Sequence, residues 1–170
     1  GDHGVAIMSL RENLEFETTI ESDTAALHGL VAAMVDAVPD IHCLRDPTRG
    51  GLATTLNELA RQSACGMVIA EERIPCHPQV RAACEFLGLD PLYVANEGKL
   101  VAICGAADAD RLLAAMRAHP LGRAASIIGD VIEDPQAGRF LPLVADATAA
   151  GADGLAQWLR ARRVGLVHLH

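Results

Sequence analysis

Aromatic side chains are scarce in this 170-residue chain, with three Phe, one Tyr and one Trp. Its core must therefore be assembled from Leu, Val, Ile and Ala, which is feasible because 51% of the residues are hydrophobic. Lysine is rarer still: Lys99 stands alone. One lysine cannot supply a phosphate-binding cradle. A net charge of −8, from 22 acidic and 14 basic residues, argues against nucleic acid as a partner. No stretch approaches the roughly 20 apolar residues of a membrane span, and no signal peptide is seen before Gly1, so no membrane contact is expected. The five cysteines form no CxxC pair and no even-numbered disulfide framework. They are expected to be reduced, mostly buried thiols of a cytoplasmic protein. Cys76 and His77 are adjacent, but no second ligand pair lies at zinc-like spacing, so no metal site is expected.

The length suits one domain. Val5–Met8 is a short apolar run that predicts a strand. Ser22 or Asp23 can cap a helix carrying Leu27, Leu30, Val31 and Met34, which Pro39 and Asp40 end. Ile41–Leu44 suits a buried strand, and Leu52, Leu56, Leu59 and Ala60 the apolar face of a helix. A strand at Met67–Ala70, a helix opened by Pro78, and a strand at Leu100–Cys104 follow. The helix Asp108–Ala118 turns Leu112, Leu113 and Met116 inward, ahead of a strand Ala125–Ile132 with Gly129 at a bulge. A turn at Asp134–Gly138 precedes a last strand, Phe140–Val144, with hairpin-like connections late in the chain. The fold class predicted is α/β (α+β), a mixed sheet covered by helices.

Three segments carry chemistry. Gly1-Asp2-His3-Gly4 sets a carboxylate beside an imidazole that can move protons near neutral pH, although the same residues suit a solvated turn. Arg45-Asp46-Pro47-Thr48-Arg49-Gly50-Gly51 lies between a strand and a helix N-terminus, where arginines can hold a phosphate or carboxylate; it also suits a structural Asp–Arg loop. It lacks the GK[ST] ending of a P-loop. Asn96-Glu97-Gly98-Lys99 puts a carboxylate at the mouth of a sheet, where it can serve as an acid or base, or else pair with Lys99 on a surface turn.

Taken in order, GDHGVAIM, RDPTRGGLATTLNE and LGLDPLYVANEGKLVA resemble the C-terminal half of the HypE-type hydrogenase maturation proteins. These belong to the aminoimidazole-ribonucleotide-synthetase-like group, with a PurM C-terminal-like fold. The resemblance runs from Gly1 to about Gly138. It implies an ATP-dependent enzyme that dehydrates a C-terminal cysteine S-carboxamide to a thiocyanate, the source of the cyanide ligand on the iron of [NiFe]-hydrogenase. It implies ATP and Mg²⁺ held mainly by an N-terminal domain, a homodimer, a HypF-type carbamoyltransferase as donor, and HypC- and HypD-type scaffold proteins as acceptors. Carried onto this chain, Glu97 is the first candidate for the general base, with His3 and Asp2 next. Arg45, Asp46, Thr48, Arg49 and Asn96 would orient phosphate or the arriving tail.

The chain departs from that family in two respects. The N-terminal ATP-binding domain is missing, so the piece alone is expected to be inactive and to bind no nucleotide tightly. The family's cysteine-terminated tail is also missing. Residues 1–144 are taken as the domain and 145–170 as an atypical tail, whose Ala, Gly and Arg content suggests a frameshift. The competing readings are another enzyme of the group, of the selenophosphate synthetase type, and a non-catalytic docking module for maturation partners.

Overall fold

The computed structural model describes residues 1–12, 20–133, 140–143 and 164–168. Five helices are present among them: α1 (Asp2–Glu12), α2 (His28–Ala37), α3 (Gly51–Ser63), α4 (Pro78–Leu87) and α5 (Ala109–Ala118). The strands are β1 (Ile41–Arg45), β2 (Gly66–Ala70), β3 (Val101–Gly105), β4 (Ser126–Ile132), β5 (Phe140–Leu143) and β6 (Val164–His168). They form one sheet in the order β1-β3-β6-β4-β2-β5. All neighbours pair antiparallel except β2 and β5, which are parallel. The predicted mixed sheet under helices is thus observed.

Strand β3 explains the layering. Its side chains alternate between faces with the period of an extended chain. Ala102 and Cys104 join Leu30 and Met34 of α2 and Leu112 and Met116 of α5. Val101 and Ile103 join Leu52, Leu56 and Ala60 of α3, with Met67 and Ile69 of β2. A strand covered on both faces must be apolar throughout, which is why Leu100–Cys104 carries no polar residue. Full burial of each Leu or Met here contributes on the order of 1.5–3 kcal/mol.

Several local expectations are corrected. Val5–Met8 lies in α1, not in a strand. An apolar run of four does not distinguish the two, and the packing of Val5 and Met8, one turn apart, against Val80, Ala83 and Cys84 of α4 decides for helix. Strand β1 sits at the end of the described sheet order, so it is half-buried rather than buried. Helix α2 begins after Leu27 with no side-chain cap, because Ser22 and Asp23 lie four or more residues before its N-cap position. Strand β5 pairs parallel with β2 and is not the second arm of a hairpin with β4. Cys84 and Cys104 are buried, while Cys43, Cys65 and Cys76 are only partly so. The bulge expected at Gly129 is present as a register shift between Ile127 and Gly129 against β6. The turn expected at Asp134–Gly138 lies outside the described residues, as does the tail except for Val164–His168. Those five residues form a strand between β3 and β4.

Candidate active site

The loop 96–99 enters β3 from the side of α1, and the two are tied at several points. The Gly4 N–H donates to the Ala95 carbonyl at 3.1 Å. The Gly1 nitrogen donates to Asn96 Oδ1. Lys99 Nζ pairs with Asp2 Oδ2 and donates to Asn96 Oδ1 at 3.1 Å. A third element joins from the segment before α2: Asp23 Oδ2 lies 3.2 Å from Lys99 Nζ, within ion-pair distance but off hydrogen-bond alignment. Asp23 Oδ1 accepts the Glu97 N–H at 3.1 Å.

Lys99 is only 3% exposed, as is Asn96. A buried ammonium survives only where carboxylates and hydrogen-bond acceptors replace water, and Asp2, Asp23 and Asn96 do so here. Burial pushes the Asp23 carboxyl up, but the Lys99 charge and the Glu97 N–H outweigh it, and the net displacement is downward. Gly98 makes the approach possible, since a Cβ there would collide with the Asp23 carbonyl oxygen.

Glu97 is paired with His3 rather than with Lys99. Its Oε1 lies 3.9 Å from His3 Nε2, and both side chains are partly open to solvent. His3 Nδ1 is in turn 2.8 Å from Ser22 Oγ. The surface Glu97–Lys99 pair considered from sequence is therefore absent. The two residues part because Lys99 is needed beneath the loop, where Asp2 and Asp23 lie.

Among the residues singled out by sequence, Asp2, His3, Asn96 and Glu97 come together. The 45–51 loop touches them through its backbone, where the Asn96 N–H donates to the Pro47 carbonyl at 3.2 Å. Three of its polar side chains are engaged locally and one is open. Arg45 reaches Glu58 of α3 at 3.1 Å, Thr48 donates to Asp46, and Arg49 is exposed. The hydrogen bond from Thr48 is the largest influence holding the Asp46 carboxyl below its usual range. Gly51 packs this loop against residues 92–94, at a positive φ of 66° and with no room for a Cβ.

Sequence reasoning missed Lys99, Asp23 and Ser22 as parts of the cluster. For Lys99 a signal existed: the single lysine directly precedes a strand apolar on both faces, a position that faces inward. Asp23 and Ser22 carried none beyond their capping chemistry. A cleft beside the cluster is lined by Asp2, Asn96 and Lys99 together with Leu52, Cys76 and Arg81. No group of three or more His, Cys, Asp or Glu that could hold a metal occurs among the described residues.

A family model described as AIR synthase related protein, C-terminal domain, matches residues 1–141. The chain belongs to this family. Within the AIR synthase related group it is similar to a carbamoyl dehydratase HypE of Azotobacter vinelandii, 64% identical over 159 residues, or 94% of this chain and 45% of that protein. That match continues past residue 144, into the segment taken from sequence as an atypical tail. A solved hydrogenase maturation protein HypE in complex with ATP superposes with a TM-score of 0.81 at 47% identity, covering 85% of this chain and 45% of that one. A HypE–HypF complex gives a TM-score of 0.79 at 43% identity, over 84% of this chain and 46% of its counterpart. The chain thus spans about half the length of the relatives it matches. No helix among the described residues is long and apolar enough to cross a membrane.

Proposed function

We propose that this AIR synthase related domain serves an ATP-dependent carbamoyl dehydratase of [NiFe]-hydrogenase maturation, and that Glu97 is its general base. The reaction converts a cysteine S-carboxamide to a thiocyanate. The amide oxygen takes the γ-phosphoryl group of ATP and becomes a leaving group. The nitrogen gives up its two protons as phosphate departs, leaving ADP, phosphate and a carbon–nitrogen triple bond. A base is needed beside the thiocarboxamide. The observation that carries this reading is the partly open Glu97–His3 pair, whose backbone is pinned by Asp23.

A fixed main chain with an accessible carboxylate suits proton abstraction, because positioning supplies much of the effect of a general base. His3 steadies the carboxylate and is the second candidate for moving the proton. For Asp2, the other candidate beside His3, the pairing with buried Lys99 supports an anchoring role. Asn96 has its side chain turned to Lys99 and Arg45 is paired with Glu58, so orientation of substrate falls first to exposed Arg49. ATP and Mg²⁺ would be held mainly by an N-terminal domain, and the full-length protein would be a homodimer. The similarity to a solved HypE–HypF complex supports a HypF-type carbamoyltransferase as donor. HypC- and HypD-type proteins as acceptors, and a cytoplasmic setting, belong to the same reading.

The test is Glu97→Gln in the full-length enzyme. Dehydration followed by mass spectrometry of the modified cysteine should slow by roughly a hundred- to ten-thousandfold. ATP binding should be unchanged. A Gln variant that forms thiocyanate at the parent rate refutes the assignment.

A further inference from the structure

The hydrogen-bond partners of His3 constrain which ring nitrogen carries its proton, and they lie outside the motifs carrying the family resemblance. Ser22 Oγ is 2.8 Å from His3 Nδ1, 2.8 Å from Thr24 Oγ1, and accepts the Thr24 N–H at 3.2 Å. A serine hydroxyl has one proton and two lone pairs, so three partners use its full capacity. The Thr24 N–H takes one lone pair. The hydroxyl proton then goes either to Thr24 or to His3.

If it goes to Thr24, Nδ1 of His3 must carry a proton. A neutral ring would then present the bare Nε2 lone pair to Glu97 Oε1, 3.9 Å away. A lone pair facing a carboxylate is repulsive. If the proton goes to His3 instead, every contact is attractive. The Thr24 hydroxyl donates to Ser22, Ser22 donates to Nδ1, and the Nε2–H points at the Glu97 carboxylate. The next residue, Asp23, holds the Glu97 backbone through its Oδ1 at 3.1 Å. One short segment, residues 22–24, therefore grips both members of the pair.

We propose that Ser22, backed by Thr24, is a positioning residue that donates to His3 Nδ1 and so aims the His3 Nε2–H at Glu97. The consequence for catalysis rests on the reading of Glu97 as the base, whereas the hydrogen-bond assignment does not. Ser22 is exposed, so its removal should leave the fold intact.

The experiment uses full-length protein carrying this chain, labelled with ¹⁵N-histidine, above about pH 8, where imidazoles are neutral. The His3 signals are assigned by their loss in His3→Gln. In the parent, Nδ1 should resonate as an unprotonated nitrogen displaced upfield by an accepted hydrogen bond. Ser22→Ala should abolish that displacement and Ser22→Thr should restore it. In parallel, Ser22→Ala should lower kcat for thiocyanate formation by up to about a hundredfold with KM for ATP unchanged, and Ser22→Thr should recover most of it. A protonated Nδ1 in the parent, or an Nδ1 signal indifferent to Ser22→Ala, overturns the proposal whatever the kinetics. A lost displacement with an unaltered kcat keeps Ser22 as the partner of His3 and counts against the use of the His3–Glu97 pair in the reaction.

Discussion

Replacing Lys99 by methionine keeps most of the side-chain volume and removes the charge on which the cluster is built. Lys99 is 3% exposed, and the side chains of Asp2 and Asp23 are 12% exposed each. The variant removes the ammonium that Asp2 and Asp23 share in a region with little water, and it deprives Asn96 Oδ1 of its lysine donor. Removing one partner of a buried ion pair costs about 3–5 kcal/mol, because the remaining charge is uncompensated. An exposed pair would cost no more than about 1 kcal/mol. Against a total stability of roughly 5–15 kcal/mol, the difference is easily measured. Urea unfolding at pH 7, followed by far-UV circular dichroism, should show a lower midpoint with an unchanged slope. Lys99→Met/Asp23→Asn should recover part of the loss, since contacting charges couple by about 0.5–3 kcal/mol. A loss below about 1 kcal/mol, or one abolished by molar salt, would mean that the ammonium is solvated and the cluster is an ordinary surface pair.

Two further outcomes are expected. Asp23 has its carboxyl held below the ordinary value of 3.8, so its contribution is complete above that value and is lost as pH falls through the lowered folded value. Asp23→Asn should therefore be less stable than the parent at pH 7, with the gap closing below about pH 4 in acid titrations of the unfolding midpoint; a gap constant with pH would rule out the linkage. Burial raises the Cys84 and Cys104 thiols, and both are fully enclosed. A thiol reagent at pH 7 should leave them unmodified in the folded chain and label them on unfolding, as read by peptide mass spectrometry; rapid labelling of either in the native state contradicts the packing.

Much of the architecture was legible in the sequence because it depends on short-range pattern. The Leu52-Leu56-Ala60 spacing, Pro78 at a helix start, and the unbroken apolar run into β3 each prescribe an element without reference to the rest of the chain. The three segments bearing chemistry were also legible, since carboxylates, imidazole and paired glycines are conspicuous wherever they lie. What the sequence did not convey was partnership. Val5–Met8 is four apolar residues in either conformation, and only α4 beside it selects the helix. Val164–His168 has little pattern of its own and gains its place in the sheet from β3 and β4 on either side.

The same division holds at the site. Composition alone established that a single lysine is available among 14 basic residues. That Asp2, Asp23 and Asn96 enclose it, from positions up to 97 residues away, was decided by the tertiary structure. The physical reason is that an ammonium can be taken out of water only where several oxygens converge on it, and convergence is a property of packed backbones. Lys99 is held by Asp2 and Asp23 while Glu97 lies beside His3, an arrangement that no local spacing of residues encodes.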